Sequence, residues 1–430
     1  MLQGGSERPP HSSLRFLNDL RQLPDDIEDN FREVKDILGE LLQINQELKE
    51  KIQSLQQSQC STTSVSAFNA RASNNIAVYY TQSSASNSQT DLRLLCAKPA
   101  VDIITLPLIA TLNGPNGFPT FANTTDCLGP SASQLADAPN LRDCSNLAET
   151  ITYCQSLGKK IIIGILGTTI EPYSPATNSS TITARTAFNS FDQRPHSAVM
   201  LLSLFGPPST SSRQLTHLRP FGPNISVDGF DLGFDLDMTV HGSRTSADFV
   251  ATLRDHTAQS GQALYVSATR PCRRPASPQT LATLALVDFV TVMFAHDPAC
   301  SIAGPGFNIW DWSNDLRLAA ADGAANGSSQ GNGTAPLRPK LFAAALAWPS
   351  PAATANRTRE GDPEYLGQSI GQIWESGRLG NLGGVALVEG GRGVAGGTWG
   401  EVGARSIEAV DAAIEEDYRE RGKDGKVMDL

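Results

Sequence analysis

Eight short apolar runs, each bounded by turn residues, recur along most of the chain: 76–80 (IAVYY), 101–108 (VDIITLPL), 160–166 (KIIIGIL), 227–237, 263–268 (ALYVSA), 288–295 (DFVTVMFA), 340–347 (KLFAAALA) and 384–388 (GVALV). Runs this short and this apolar suit parallel strands buried on both faces. Amphipathic stretches separate several of them, at Asn140–Leu157, Ser246–Gly261 and Tyr365–Ser376, and Ser406–Arg421 reads as a closing helix. Alternation of strand and helix eight times predicts the α/β class, a (β/α)8 TIM-type barrel whose active face lies at the strand C-terminal ends. The 430 residues exceed what such a barrel needs, which leaves room for an appendage.

That appendage precedes the first run. Residues 1–24 are polar, broken by Pro9 and Pro10, and read as a disordered N-terminus. From Asp25 to Gln57 the residues Ile27, Phe31, Val34, Leu38, Leu41, Asn45, Leu48, Ile52 and Leu55 recur at alternating spacings of four and three. This is the seam of a coiled coil, with Asn45 at a position where a buried amide selects register. Ile37, Leu42 and Ile44 widen the stripe, so the alternative is one helix packing on a domain. The expectation is a helical, coiled-coil-like segment at 25–57 through which the chain forms a homo-oligomer. Residues 58–74 are Ser/Thr/Ala/Asn-rich and read as a linker, 75–421 as the barrel, and the Gly/Ser/Asn-rich stretch 320–335 as a flexible insertion.

Charge and cysteine content bound the partners. A net charge of −10 supplies no basic field for nucleic acid, and no apolar stretch is long enough to span a membrane. Of seven cysteines, Cys60 stands alone and Cys96, Cys127, Cys144, Cys154, Cys272 and Cys300 lie in the main body, with no zinc-type spacing among them. Three disulfides are therefore favoured over a metal, and neither metal nor cofactor is expected. Six Asn-x-Ser/Thr sequons, at Asn123, Asn178, Asn224, Asn326, Asn332 and Asn356, are possible glycan acceptors, although such triplets also arise by chance. Disulfides and sequons together point to an extracellular glycoprotein, even though no secretory leader is visible at Met1.

The fourth run reads DGFDLGFDLDM and carries carboxylates at Asp228, Asp231, Asp235 and Asp237. Alternate residues of a strand share a face, so Asp235, Asp237 and Thr239 would point together into the barrel mouth. A solvated edge or a calcium loop is the bland alternative, and the interleaved Phe, Leu and Met argue for a buried strand instead.

Over about residues 75–400 the chain resembles glycoside hydrolase family 18, specifically the class III chitinases of plants and fungi, whose fourth strand carries Asp-Gly-x-Asp-x-Asp-x-Glu. IAVYYTQ (76–82), GKKIIIGILG (158–167), YVSATRPC (265–272) and FVTVMFAHDPAC (289–300) are similar to its first, third, fifth and sixth strands. The resemblance implies disulfides Cys96–Cys154, Cys127–Cys144 and Cys272–Cys300. It also implies chitin or a chitooligosaccharide as ligand. In that family a Glu protonates the glycosidic oxygen, the substrate's N-acetyl group attacks the anomeric carbon, and a neighbouring Asp steadies the oxazolinium ion; the family departs from the usual two-carboxylate scheme.

The chemistry-bearing positions depart from the family pattern. Aligning Asp235 and Asp237 with the last two aspartates puts Thr239 in the general-acid position, and a hydroxyl cannot protonate a leaving group at neutral pH. The register anchored on Asp228-Gly229 instead puts Asp235 in the Glu position and Gly233 where the assisting Asp belongs. Met293-Phe294-Ala295 replaces Gln-Phe-Tyr, Val388 stands in place of the Trp that floors the sugar subsite, and Gly164-Ile165-Leu166-Gly167 replaces Ser-x-Gly-Gly. Tyr80 replaces a Trp but can still stack on a sugar, and Gln82 follows it as a further substrate-binding candidate with Met293, Ala295 and Val388. Loss of the general acid alone costs about two to four orders of magnitude in rate. Asp237, Glu389 and His296 are candidate substitutes. The resemblance thus implies a pseudoenzyme binding a glycan or a protein in the barrel cleft, with an active endochitinase using a substitute acid as the alternative. Trp310 and Trp312 are expected on a helix, packing rather than binding.

Overall fold

The structure is a computed structural model that describes residues 37, 39, 43–46, 49, 68–80, 88–112, 117–122, 126–166, 194–208, 215–233, 246–260, 264–274, 278–295, 297, 299–302, 304–325, 339–347, 363–376, 379–388 and 407–415. The chain divides into two compact units, Met1–Val65 and Ser66–Leu430. In the first unit the described residues, 43–46 among them, are helical, and Ile37 and Ile44 are half-exposed. The remainder of the heptad seam lies outside the described residues.

The second unit is a closed barrel. Its strands are β1 (Asn75–Tyr79), β2 (Val101–Thr111), β3 (Thr120–Phe121), β4 (Lys160–Ile165), β5 (Gly229–Leu232), β6 (Tyr265–Pro271), β7 (Phe289–Met293), β8 (Lys340–Leu346) and β9 (Leu382–Val388). All pair in parallel with their neighbours except β3, which turns back antiparallel on the end of β2, and β9 returns to β1 to close an eight-stranded ring. At that closure Asn75 lies opposite Gly384, whose φ of 150° and whose contact with the Asn75 carbonyl leave no room for a side chain. Each expected apolar run contributes one barrel strand.

The helices are α1 (Ser88–Cys96), α2 (Ala132–Asp137), α3 (Ala148–Ser156), α4 (Arg194–Phe205), α5 (Ser246–Ser260), α6 (Pro278–Leu284), α7 (Ile309–Ala325) and α8 (Pro363–Glu375), followed by a helix over 407–415. Ser131 starts α2 with a capping box, accepting from the Gln134 amide while the Gln134 side chain accepts from the Ser131 N–H. Trp312 on α7 is fully buried and its indole donates to the Cys272 carbonyl at 2.9 Å, whereas Trp310 is partly exposed. None of the described helices is long and apolar enough to cross a membrane.

Strand alternation separates two apolar layers. One side of each strand, with Ile76, Val78, Ile104, Ile161, Ile163, Phe230 and Leu232, packs against the helices. The other side, with Ala77, Ile103, Ile162, Phe289, Phe342, Ala344 and Ala386, fills the barrel. Phe68 and Ala70 join this inner layer, and the Phe68 ring meets Tyr265 and Phe289 edge-on at 5.2 and 5.9 Å. The last part of the stretch read as a linker is therefore barrel core; one aromatic residue in a polar sequence carries no periodic signal. A second correction concerns 320–335: α7 continues to Ala325, because Leu316 and Ala320 bury the same face as Trp312. Residues 326–335 lie outside the described residues.

The implied disulfide pairing is present in full: Cys96–Cys154 ties α1 to α3, Cys127–Cys144 closes a loop after β3, and Cys272–Cys300 joins the ends of β6 and the segment after β7. Their sequence separations of 58, 17 and 28 residues correspond to about 3 to 4 kcal/mol each in the chain-entropy account.

Candidate functional site

The centre of the barrel is polar. Strand β5 begins with Gly229, so its next inward residue is Asp231, which is only 2% exposed. Opposite it on β6 the inward residues are Ser267 and Thr269. Ser267 Oγ donates to Asp231 Oδ1 at 2.6 Å and Thr269 Oγ1 donates to Oδ2 at 2.7 Å. On β1, Tyr79 faces the same space; its hydroxyl is 2.6 Å from Thr269 Oγ1 and 3.4 Å from Asp231 Oδ2. Thr269 has one proton, which goes to the carboxylate, so it accepts from Tyr79. The order is Tyr79 to Thr269 to Asp231, a chain in which every donor points toward the acid.

Burial pushes the Asp231 carboxyl above its ordinary range, and the three hydroxyls pull it back toward the ionised form. Tyr79 is pushed well above the usual phenol range, first by burial and then by the Asp231 charge, so it stays protonated and acts as a donor. Asp228 has a different duty. Its Oδ2 accepts from the Ile161 amide and from Gln155 Nε2, both at 2.9 Å, and Lys160 lies 3.5 Å away, all at the strand entrances.

Beyond this polar layer the barrel wall turns apolar. Ala295, Leu346 and Val388 are buried, with Met293 half-buried beside them. No hydroxyl and no indole stands at Ala295 or Val388. Tyr80 corrects an expectation: it is 3% exposed and belongs to the layer between strands and helices, while Tyr79 is the tyrosine that faces inward. The physical reason is the two-residue period of β1, where Ala77 and Tyr79 share one face and Val78 and Tyr80 the other. Gln82, Asp235, Asp237, Thr239, His296 and Glu389 lie outside the described residues. Gly233 is described: its amide donates to the Ile165 carbonyl at 2.9 Å, and a β-carbon on it would sit 2.8 Å from that same oxygen.

Tyr79, Thr269 and Ser267 were missed as site residues in the sequence. The signal was present in YVSATRP, where Tyr265, Ser267 and Thr269 alternate with Val266 and Ala268. Among the described residues one cluster has metal-ligand proximity, Cys272, Asp297 and Cys300. Its two sulfurs are joined as a disulfide, which leaves no thiolate to bind a cation.

A parallel eightfold barrel with a carboxylate held inside it from the fourth barrel strand defines the class as a (β/α)8 barrel. The comparisons place it more narrowly. No protein-family profile matches the chain. The chain is 30% identical to endochitinase 33 of Trichoderma harzianum over 264 residues, 59% of this chain and 73% of that protein. It is 32% identical to endochitinase A of Emericella nidulans over 272 residues, 59% of this chain but 26% of that much longer protein, so it spans about a quarter of that relative's length. A solved chitinase from Ipomoea carnea is 22% identical, covering 80% of this chain and 100% of its own, with a TM-score of 0.49. The chain belongs to glycoside hydrolase family 18, as a class III chitinase-like protein.

Proposed function

We propose that the barrel is a pseudoenzyme that holds a chitooligosaccharide, or a protein ligand, at its mouth with feeble hydrolysis at best. The observation that carries this reading is the inward carboxylate of Asp231. Counted from Asp228-Gly229, the family motif aligns Asp231 with its second aspartate, Gly233 with the assisting aspartate and Asp235 with the glutamate. The other register keeps Asp235 and Asp237 as aspartates and leaves Thr239 as the acid. One register lacks the group that steadies the oxazolinium ion, and the other lacks the proton donor. The placement of Asp231 favours the first, in which Asp235 is an acid one methylene shorter than Glu, with less reach to the glycosidic oxygen. Ala295 and Val388 add two further losses, a hydroxyl to orient the N-acetyl group and an aromatic floor.

The second reading is an active endochitinase with a substitute acid, favoured by identity of 30% and 32% to two proteins named endochitinases. A chitooligosaccharide with a reporter leaving group separates the two. The pseudoenzyme reading expects no turnover above background; robust turnover abolished by Asp235→Asn would overturn it. Calorimetric titration with chitotetraose then distinguishes the ligand, since absence of heat points to a protein in the cleft. The three disulfides are consistent with work in an oxidising, extracellular setting.

A further inference from the structure

Of the six sequons, the one within the described residues is Asn224-Ile225-Ser226. It lies on the segment between α4 and β5, in a turn made by Gly222 with a φ of 94° and Pro223. Pro223 and Asn224 are exposed, and burial resumes at Val227. The turn is anchored on both sides of the asparagine. Arg219, itself 4% exposed, donates to the carbonyls of Ser203, Gly206 and Ile225, and Gln155 Nε2 donates to the Ser226 carbonyl at 2.9 Å. Gln155 is near the C-terminal end of α3, where the chain turns into β4. The sequon is therefore on the outer wall, toward the strand N-terminal ends and away from the mouth.

We propose that Asn224 is an N-glycosylation site of the folded protein. Glycan addition needs an Asn-x-Ser/Thr triplet with room around its amide, and the product must be a bulky hydrated group on the surface. Asn224 meets both conditions: its neighbours bond through backbone carbonyls, so the side-chain amide can be modified without breaking them. In the transfer, Asn224 Nδ2 forms a bond to the anomeric carbon of an oligosaccharide carried on a polyprenyl diphosphate. The bond from that carbon to the diphosphate oxygen breaks, the lipid diphosphate leaves with the electron pair, and the amide proton passes to a base of the transferase. A glycan here hydrates the end of α4 and leaves the barrel mouth open, so the site is independent of what the mouth binds.

The test is the full chain expressed behind a cleavable secretion leader in yeast. Treatment with peptide N-glycanase in heavy-oxygen water converts each glycosylated asparagine to labelled aspartate, and peptide mass spectrometry locates it. Label at position 224 is expected, with loss of that label alone in Asn224→Gln and in Ser226→Ala. Two variants guard against one that is not secreted. An unlabelled 224 peptide in secreted, disulfide-bonded protein overturns the proposal.

Discussion

Asp231, only 2% exposed, is held directly by Ser267 and Thr269, and Tyr79 reaches it through Thr269. Removing the acid strands the donors, while removing the Tyr79 hydroxyl leaves the acid both of its direct donors. Asp231→Ala should therefore cost about 2 to 4 kcal/mol and Tyr79→Phe about 1 kcal/mol, read as shifts in urea midpoint. Gly233 makes a sharper case. Gly233→Asp would reinstate the assisting carboxylate in the register favoured above, but its β-carbon would meet the Ile165 carbonyl. The expected result is a loss of about 1 to 3 kcal/mol and no gain of hydrolysis even when combined with Asp235→Glu. A stable, active double variant would show that only the carboxylates were missing. At this scale the sequence was partly legible. The disulfide cysteines and the acidic strand stood out, but Tyr79 was passed over for Tyr80, because an aromatic beside an aromatic cannot be assigned to a face until the strand's start is known.

At the scale of elements, one device recurs at the strand entrances. Asp102, Asp228 and Asp288 each accept the backbone N–H of a residue on a neighbouring strand, Ile76, Ile161 and Val266, at 2.8 to 2.9 Å. Such a carboxylate satisfies an amide that the ladder leaves open at its edge. Asp102 faces the Ile76 amide, Lys159 and Asp411 of the helix over 407–415, and burial raises its pKa from the ordinary value to about 6. Below about pH 4 the folded and unfolded chains both hold the proton. Between about 4 and 6 the unfolded chain ionises first, so this group lowers stability as pH rises, by on the order of 2–3 kcal/mol in all. Asp102→Asn, whose amide oxygen can still accept from Ile76, should flatten the melting temperature over that window; an unchanged slope would refute the assignment. The strands were readable because parallel strands buried on both faces are continuous apolar runs. Strand β3 and helix α2, at two and six residues, are too short to show a period, and they are held by pairing and capping instead.

At the scale of the molecule, the disulfides and the N-terminal segment can be tested separately from the mouth. Replacing Cys96 and Cys154 by Ser should lower stability by about 4 kcal/mol, and the Cys127 and Cys144 pair by about 3 kcal/mol, in line with their loop lengths. Equal losses would point to packing of the sulfurs rather than loop entropy. For the heptads at 25–57, light scattering should give the full chain a larger mass per particle than residues 66–430, a truncation that keeps Phe68 in its barrel. Equal monomer masses would rule out assembly through that segment. The barrel's closure also has a consequence in time. Asn75 bonds to Gly383, 308 residues further along the chain. At about 5 to 20 residues per second, a ribosome takes roughly 15 to 60 seconds to supply the strand that completes the ring. Until then β1 and β8 present open edges, while each disulfide joins residues already released, so the sulfur bridges can secure arcs of the wall before the ring can close.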